Sequence, residues 1–142
     1  PIIMARNNLV AVAWFTAANN QPHVKAAWSM DGGRTFLAPV TLNDTVPLGH
    51  IAAVMLESGE AAVAWQRTVN GGTELVMRRA SADGRLGDVL LVSEAKNVFA
   101  ISVPQIALQD DKLILAWTQS IGAQYSVQTG SLPIDSLPRL RD

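Results

Sequence analysis

Residues Ser29–Phe36 read SMDGGRTF, placing an aspartate, two glycines, a threonine and an aromatic between two apolar runs. Such a stretch suits a catalytic loop, a metal or phosphate cradle, or a turn whose amides are held by short side chains. The other residues that could do chemistry are scattered. His23 and His50 show neither Glu-x-x-His nor His-x-x-x-His spacing, so no metal site is expected. Gly71-Gly72 follows Asn70 and reads as a hairpin turn rather than a phosphate loop, because no helical pattern comes after it. The sequence contains no Gly-x-Ser-x-Gly elbow. Arg67 closely follows the apolar run AAVAW and is the best single candidate for a residue near a binding mouth. Glu74 lies on the next strand-like segment, where it could face inward or stand exposed. Arg78 and Arg79 are adjacent, so on a strand they face opposite sides. Arg6 and Gln119 stand near the edges of other apolar runs.

The elements that must position these residues are short. The 142 residues are 49% hydrophobic and 16% charged, which suits one folded domain with a real core. No apolar run approaches the roughly 18 residues of a membrane helix. Eleven basic against 12 acidic residues leave a net charge of −1, without the basic footprint of a nucleic-acid binder. Cysteine is absent, which excludes disulfides, thiolate zinc sites and cysteine nucleophiles. The chain opens on PIIMAR and enters a strand-like run directly, so a processed chain or a piece of a longer protein is expected.

A repeat organises the chain. LVAVAWFTA, EAAVAWQRT and KLILAWTQS carry Trp14, Trp65 and Trp117 at intervals of 51 and 52 residues. Asn7-Asn8, Ser58-Gly59 and Asp110-Asp111 precede these runs where tight hairpin turns belong. Downstream, two copies continue into Ser-x-Asp-Gly and a further strand-like run; the third keeps only Ser131, and its fourth strand is doubtful. Longer links are expected at Asn43–Gly49 and Ala95–Ser102. Helical periodicity is nearly absent. About four antiparallel strands per 50 residues, repeated, predict an all-β fold of β-propeller blades, here about three, with approximate bounds 1–46, 47–98 and 99–142. The Val-Ala-Val-Ala-Trp runs suit strands buried on both faces, and their tryptophans suit the core better than sugar stacking.

Ser29-x-Asp31-Gly32-Gly33-x-Thr35-Phe36 resembles the Asp-box, or BNR repeat, of the sialidase (neuraminidase) family. Ser81-Ala82-Asp83-Gly84 resembles part of it, with Leu86 and Gly87 where threonine and the aromatic would stand. The resemblance extends over the whole chain as about three blades of what in the family is a six-bladed ring. It implies that Ser29, Asp31, Gly33, Thr35 and Phe36 are structural, on a peripheral turn between the third and fourth strands of a blade, with Phe36 tucked between sheets.

A sialidase site requires an arginine cluster gripping a carboxylate, a tyrosine nucleophile activated by a glutamate, and an acid/base aspartate. The weak candidates here are Tyr125 in AQYSVQTG, Arg67 and Glu74; none sits in a distinctive family motif. The resemblance therefore implies a non-catalytic scaffold or a glycan- or protein-binding module. The alternative is a fragment of an exo-sialidase or related glycoside hydrolase whose remaining catalytic residues lie outside this chain. It implies no cofactor, and it favours an exported protein. Three blades leave two faces uncovered, so partners are expected: a second copy completing a six-bladed ring, or missing blades of a longer parent.

Overall fold

The computed structural model describes residues 1–96 and 101–141, apart from the side chain of Ser102. The chain is all-β. Its strands are β1 (Ile2–Arg6), β2 (Leu9–Thr16), β3 (His23–Ser29), β4 (Val40–Thr41), β5 (Pro47–Met55), β6 (Ala61–Val69), β7 (Gly72–Ala80), β8 (Leu90–Ala95), β9 (Ile101–Gln109), β10 (Lys112–Ile121) and β11 (Gln124–Pro133). They form three antiparallel sheets in chain order: β1-β2-β3-β4, β5-β6-β7-β8 and β9-β10-β11, called sheets 1 to 3 here. The fourth strand doubted for the third copy is not among the described strands, and β4 is only two residues long.

Turn chemistry agrees with the sequence. Asn7, Asn70 and Asp110 adopt left-handed conformations (φ 52°, 50° and 52°) at hairpin turns, where their side chains tolerate positive φ. The first expected link is shorter than predicted, because Gly49 already belongs to β5, where pairing to β6 is irregular around it. Half of the second, residues 97–100, lies outside the described residues.

The sheets stack face to face. The first junction buries Ala11, Ala13, Val24, Ala26 and Trp28 of sheet 1 against Ala61, Val63, Trp65 and Val76 of sheet 2. The second buries Ala62, Ala64, Leu75 and Met77 of sheet 2 against Leu113, Leu115 and Trp117 of sheet 3. Strand alternation explains the division, since odd residues of β6 face sheet 1 and even residues face sheet 3. Ala61 to Gln66 are all buried, so β6 is covered on both faces. Small residues here let the neighbouring sheets approach closely.

The tryptophans correct the expectation of three equal core landmarks. Trp65 is fully buried and Trp117 is 9% exposed, but Trp14 is only partly buried. Each of these tryptophans faces the sheet before it in the chain, and sheet 1 has no described predecessor. The most buried aromatic of sheet 1 is instead Trp28 on β3.

A short tail binds the stack. After β11, residues 134–136 form a 3-10 turn, with Ile134 N donating to Asp111 O at 2.8 Å. Leu137 is fully buried in the second junction. Arg141 N donates to Leu86 O at 3.0 Å, and the Arg141 guanidinium pairs with Asp88. Gly87 permits this approach, because a Cβ there would collide with the Pro138 carbonyl oxygen. Leu137→Ala is expected to cost about 2–5 kcal/mol, read from urea unfolding midpoints. An unchanged midpoint would show that the tail does not fasten sheet 3 to sheet 2.

Candidate functional site

Antiparallel order sends the turns to two opposite ends of the sheets. One end carries the β1–β2 and β3–β4 connections, and with them Ser29–Phe36. The other carries the β2–β3 and β6–β7 connections and the link from β4 to β5.

At the first end, Asp31 is the hub of the turn. Its Oδ1 accepts from Ser29 Oγ at 2.7 Å, Arg34 N at 3.0 Å and Thr35 N at 2.9 Å. Its Oδ2 accepts from Thr35 Oγ1 at 2.6 Å. Ser29 Oγ also accepts from Gly33 N at 2.8 Å, and Gly32 N donates to Asn8 O at 2.9 Å. Gly32 and Gly33 hold φ of 75° and 89°, which an L side chain would strain. One carboxylate thus satisfies amides that a helix or strand would otherwise pair.

Phe36 departs from the expectation. It is 45% exposed and is not tucked between sheets; Trp28, at the end of β3, fills the junction and donates from Nε1 to Gly59 O at 3.2 Å. The chain at 30–39 is irregular and leaves the sheet before Phe36 can turn inward. The partial second copy repeats the logic, with Ser81 Oγ donating to Asp83 and Arg85 Nε pairing with Asp83 Oδ2 at 2.8 Å. Ser131 does not: it lies inside β11 opposite Ile114, whereas Ser29 closes β3 opposite Val10.

Hydrogen bonds from Thr35, first its hydroxyl and then its amide, together with the Ser29 hydroxyl, hold the Asp31 carboxyl down to about 2, below its ordinary value of 3.8. A depressed carboxyl pKa means that this turn's contribution to stability is fully present above about pH 4 and is lost as pH falls toward 2. Asp31→Asn is therefore expected to flatten the acid limb of a melting-temperature against pH curve between pH 4 and 2. An acid limb identical to wild type would refute the hub role. Asp83 is lowered by the same kind of bonding, chiefly from Ser81.

At the opposite end, the structure brings Arg67 and Glu74 together and adds Asp44, which sequence reasoning missed. Arg67 Nε donates to Glu74 Oε2 at 2.8 Å, and Nη1 donates to Asp44 Oδ1 at 3.1 Å. The register pairs Arg67 directly with Glu74 across β6 and β7. Glu74 is thus not an exposed strand residue; its side chain is 17% exposed, as is that of Arg67. Asp44 arrives from the link between sheets 1 and 2, 23 residues away, and no local pattern announces it. Beside it, His23, Asn43, Asp44, Thr45 and Val46 line a cavity of about 330 Å³. Val24 N donates to Asn43 Oδ1 at 2.9 Å, which fixes that loop.

Tyr125 does not join Arg67 and Glu74. It is 77% exposed on β11, opposite Ser120, on the face of sheet 3 that points away from sheet 2. Arg78 and Arg79 diverge as expected: Arg78 donates to Leu42 O, just past β4 of sheet 1, at 2.6 Å, and Arg79 to Ile134 O beyond sheet 3 at 2.9 Å. Arg6 lies at the end that bears the Asp31 turn and pairs with Glu57 at 3.6 Å. Gln119 Oε1 accepts from Trp117 Nε1 at 3.3 Å. Among the described residues no group of three His, Asp or Glu side chains could hold a metal ion, and no helix is long and apolar enough to cross a membrane. No family model matches the chain, and no curated protein matches it.

Proposed function

We propose that the chain is a segment of a sialidase-like Asp-box propeller that serves as a non-catalytic scaffold, presenting a glycan- or protein-binding surface. A second copy or further blades of a longer parent complete the ring. The observation that carries this reading is the commitment of Arg67. Its guanidinium is held between Glu74 at 2.8 Å and Asp44 at 3.1 Å, so its fork is occupied by protein carboxylates. Tyr125 stands on an outward face, apart from that pair. The Asp31 turn supports the same reading, since its carboxylate is consumed by its own loop. Binding to a printed glycan array tests the proposal. Selective retention that survives Tyr125→Phe is expected; retention that disappears with that substitution would favour the glycoside hydrolase fragment.

A further inference from the structure

The two junctions between sheets follow one rule. In each, a tryptophan of the later sheet is buried in the same cluster as the alanine just before the earlier sheet's own tryptophan. Trp65 shares a buried cluster with Ala13 and Val24, and Trp117 shares one with Ala64 and Leu75. Register fixes the flanking apolar residue as well. Val24 lies opposite Phe15, Leu75 opposite Gln66 and Val127 opposite Thr118, each one residue past a tryptophan.

The third set stands open. Val24 and Leu75 are fully buried, but their equivalent Val127 is 72% exposed. Ala13 and Ala64 are fully buried, but Ala116 is only partly so. At the other end of the stack Trp14 is partly buried, and Ile3, on the same face of sheet 1, is 72% exposed. Among the described residues, the knob on sheet 1 and the matching socket on sheet 3 are thus left uncovered.

Charge supports the match. By register the socket face of β9–β11 presents Ala107, Ile114, Ala116, Thr118, Val127 and Thr129, with Lys112 at its margin. The knob face of β1–β3 presents Ile3, Val10, Val12, Trp14 and Ala27, with Lys25 opposite Trp14. Depletion of charge is the compositional mark of an interface core. The two lysines lie toward opposite ends of their strands, so stacking the faces does not bring them together.

We infer that the occupant of each open face is a second copy of this chain, docked head to tail with its Ile114, Ala116 and Val127 against Trp14 and Ile3. This rests on the propeller reading. Closed rings of such sheets typically hold four to eight. The three described sheets become six in two copies and nine in three, so a pair carrying knob and socket on each copy closes such a ring through two equivalent junctions.

Sedimentation equilibrium at micromolar concentration tests it. Wild type is expected at two chain masses. Trp14→Glu and Val127→Lys are each expected at one chain mass with unchanged far-UV circular dichroism. An equimolar mixture of the two variants should return to two chain masses, because one junction is then native and the other joins Glu to Lys. A monomeric wild type, a dimer indifferent to both variants, or a mass that grows without limit would overturn the inference. Val127 is exposed, so its variant reports even if Trp14→Glu fails to fold. Glycan-array retention by a monomeric wild type would sink this inference while leaving the scaffold reading standing.

Discussion

Trp65→Ala is expected to be among the most damaging single substitutions, lowering stability by about 3–5 kcal/mol. Trp65 is fully buried at the centre of the middle sheet's junction with sheet 1. The surroundings cannot collapse into the void, because Ala13, Ala26 and Ala61 are already small and their strands are fixed by ladder bonds. Against a total of about 5–15 kcal/mol for an ordinary domain, this is a loss that approaches unfolding. Urea unfolding measures it, and an unchanged midpoint would show that the first junction is not built around this ring.

Trp28→Ala is expected to cost a comparable amount, about 3–5 kcal/mol, and the two phenylalanine variants should separate the sites. Trp28 Nε1 donates across the junction to Gly59 O at 3.2 Å, whereas Trp65 Nε1 is buried with no partner among the described residues. Trp28→Phe loses a hydrogen bond as well as ring volume. Trp65→Phe loses ring volume but sheds a buried donor that nothing satisfies, a burden of about 1–3 kcal/mol. Trp28→Phe should therefore be the more destabilising of the pair by about 1–3 kcal/mol in urea. Equal costs would mean that the indole bond to Gly59 contributes nothing.

What was legible in the sequence depended on locality. The hairpin turns at Asn7 and Asp110, the burial of β6 on both faces and the hub role of Asp31 are written within stretches of two to nine residues. Strand alternation also gave the divergence of Arg78 and Arg79. Several of the failures involve partners distant in the chain. Asp44 reaches Arg67 only once two sheets have stacked, and the tail from Ile134 fastens onto Leu86 and Asp88 only after sheet 3 has folded back. Trp14 matches Trp65 in local sequence, yet differs in burial because a neighbour covers one and not the other. Phe36 follows the Asp-box spacing but stays exposed, since Trp28 already occupies the junction. Ser131 shows how little a lone serine specifies: it shares the copy's position in the repeat but lies within a strand.

On the function proposed above, the polar groups of this chain hold turns and strand ends rather than cleave glycosidic bonds. Turnover of a fluorogenic sialoside by the purified chain, beside Tyr125→Phe, tests it most directly. Neither protein is expected to release fluorophore above the buffer rate. Release by wild type that vanishes in Tyr125→Phe would contradict it.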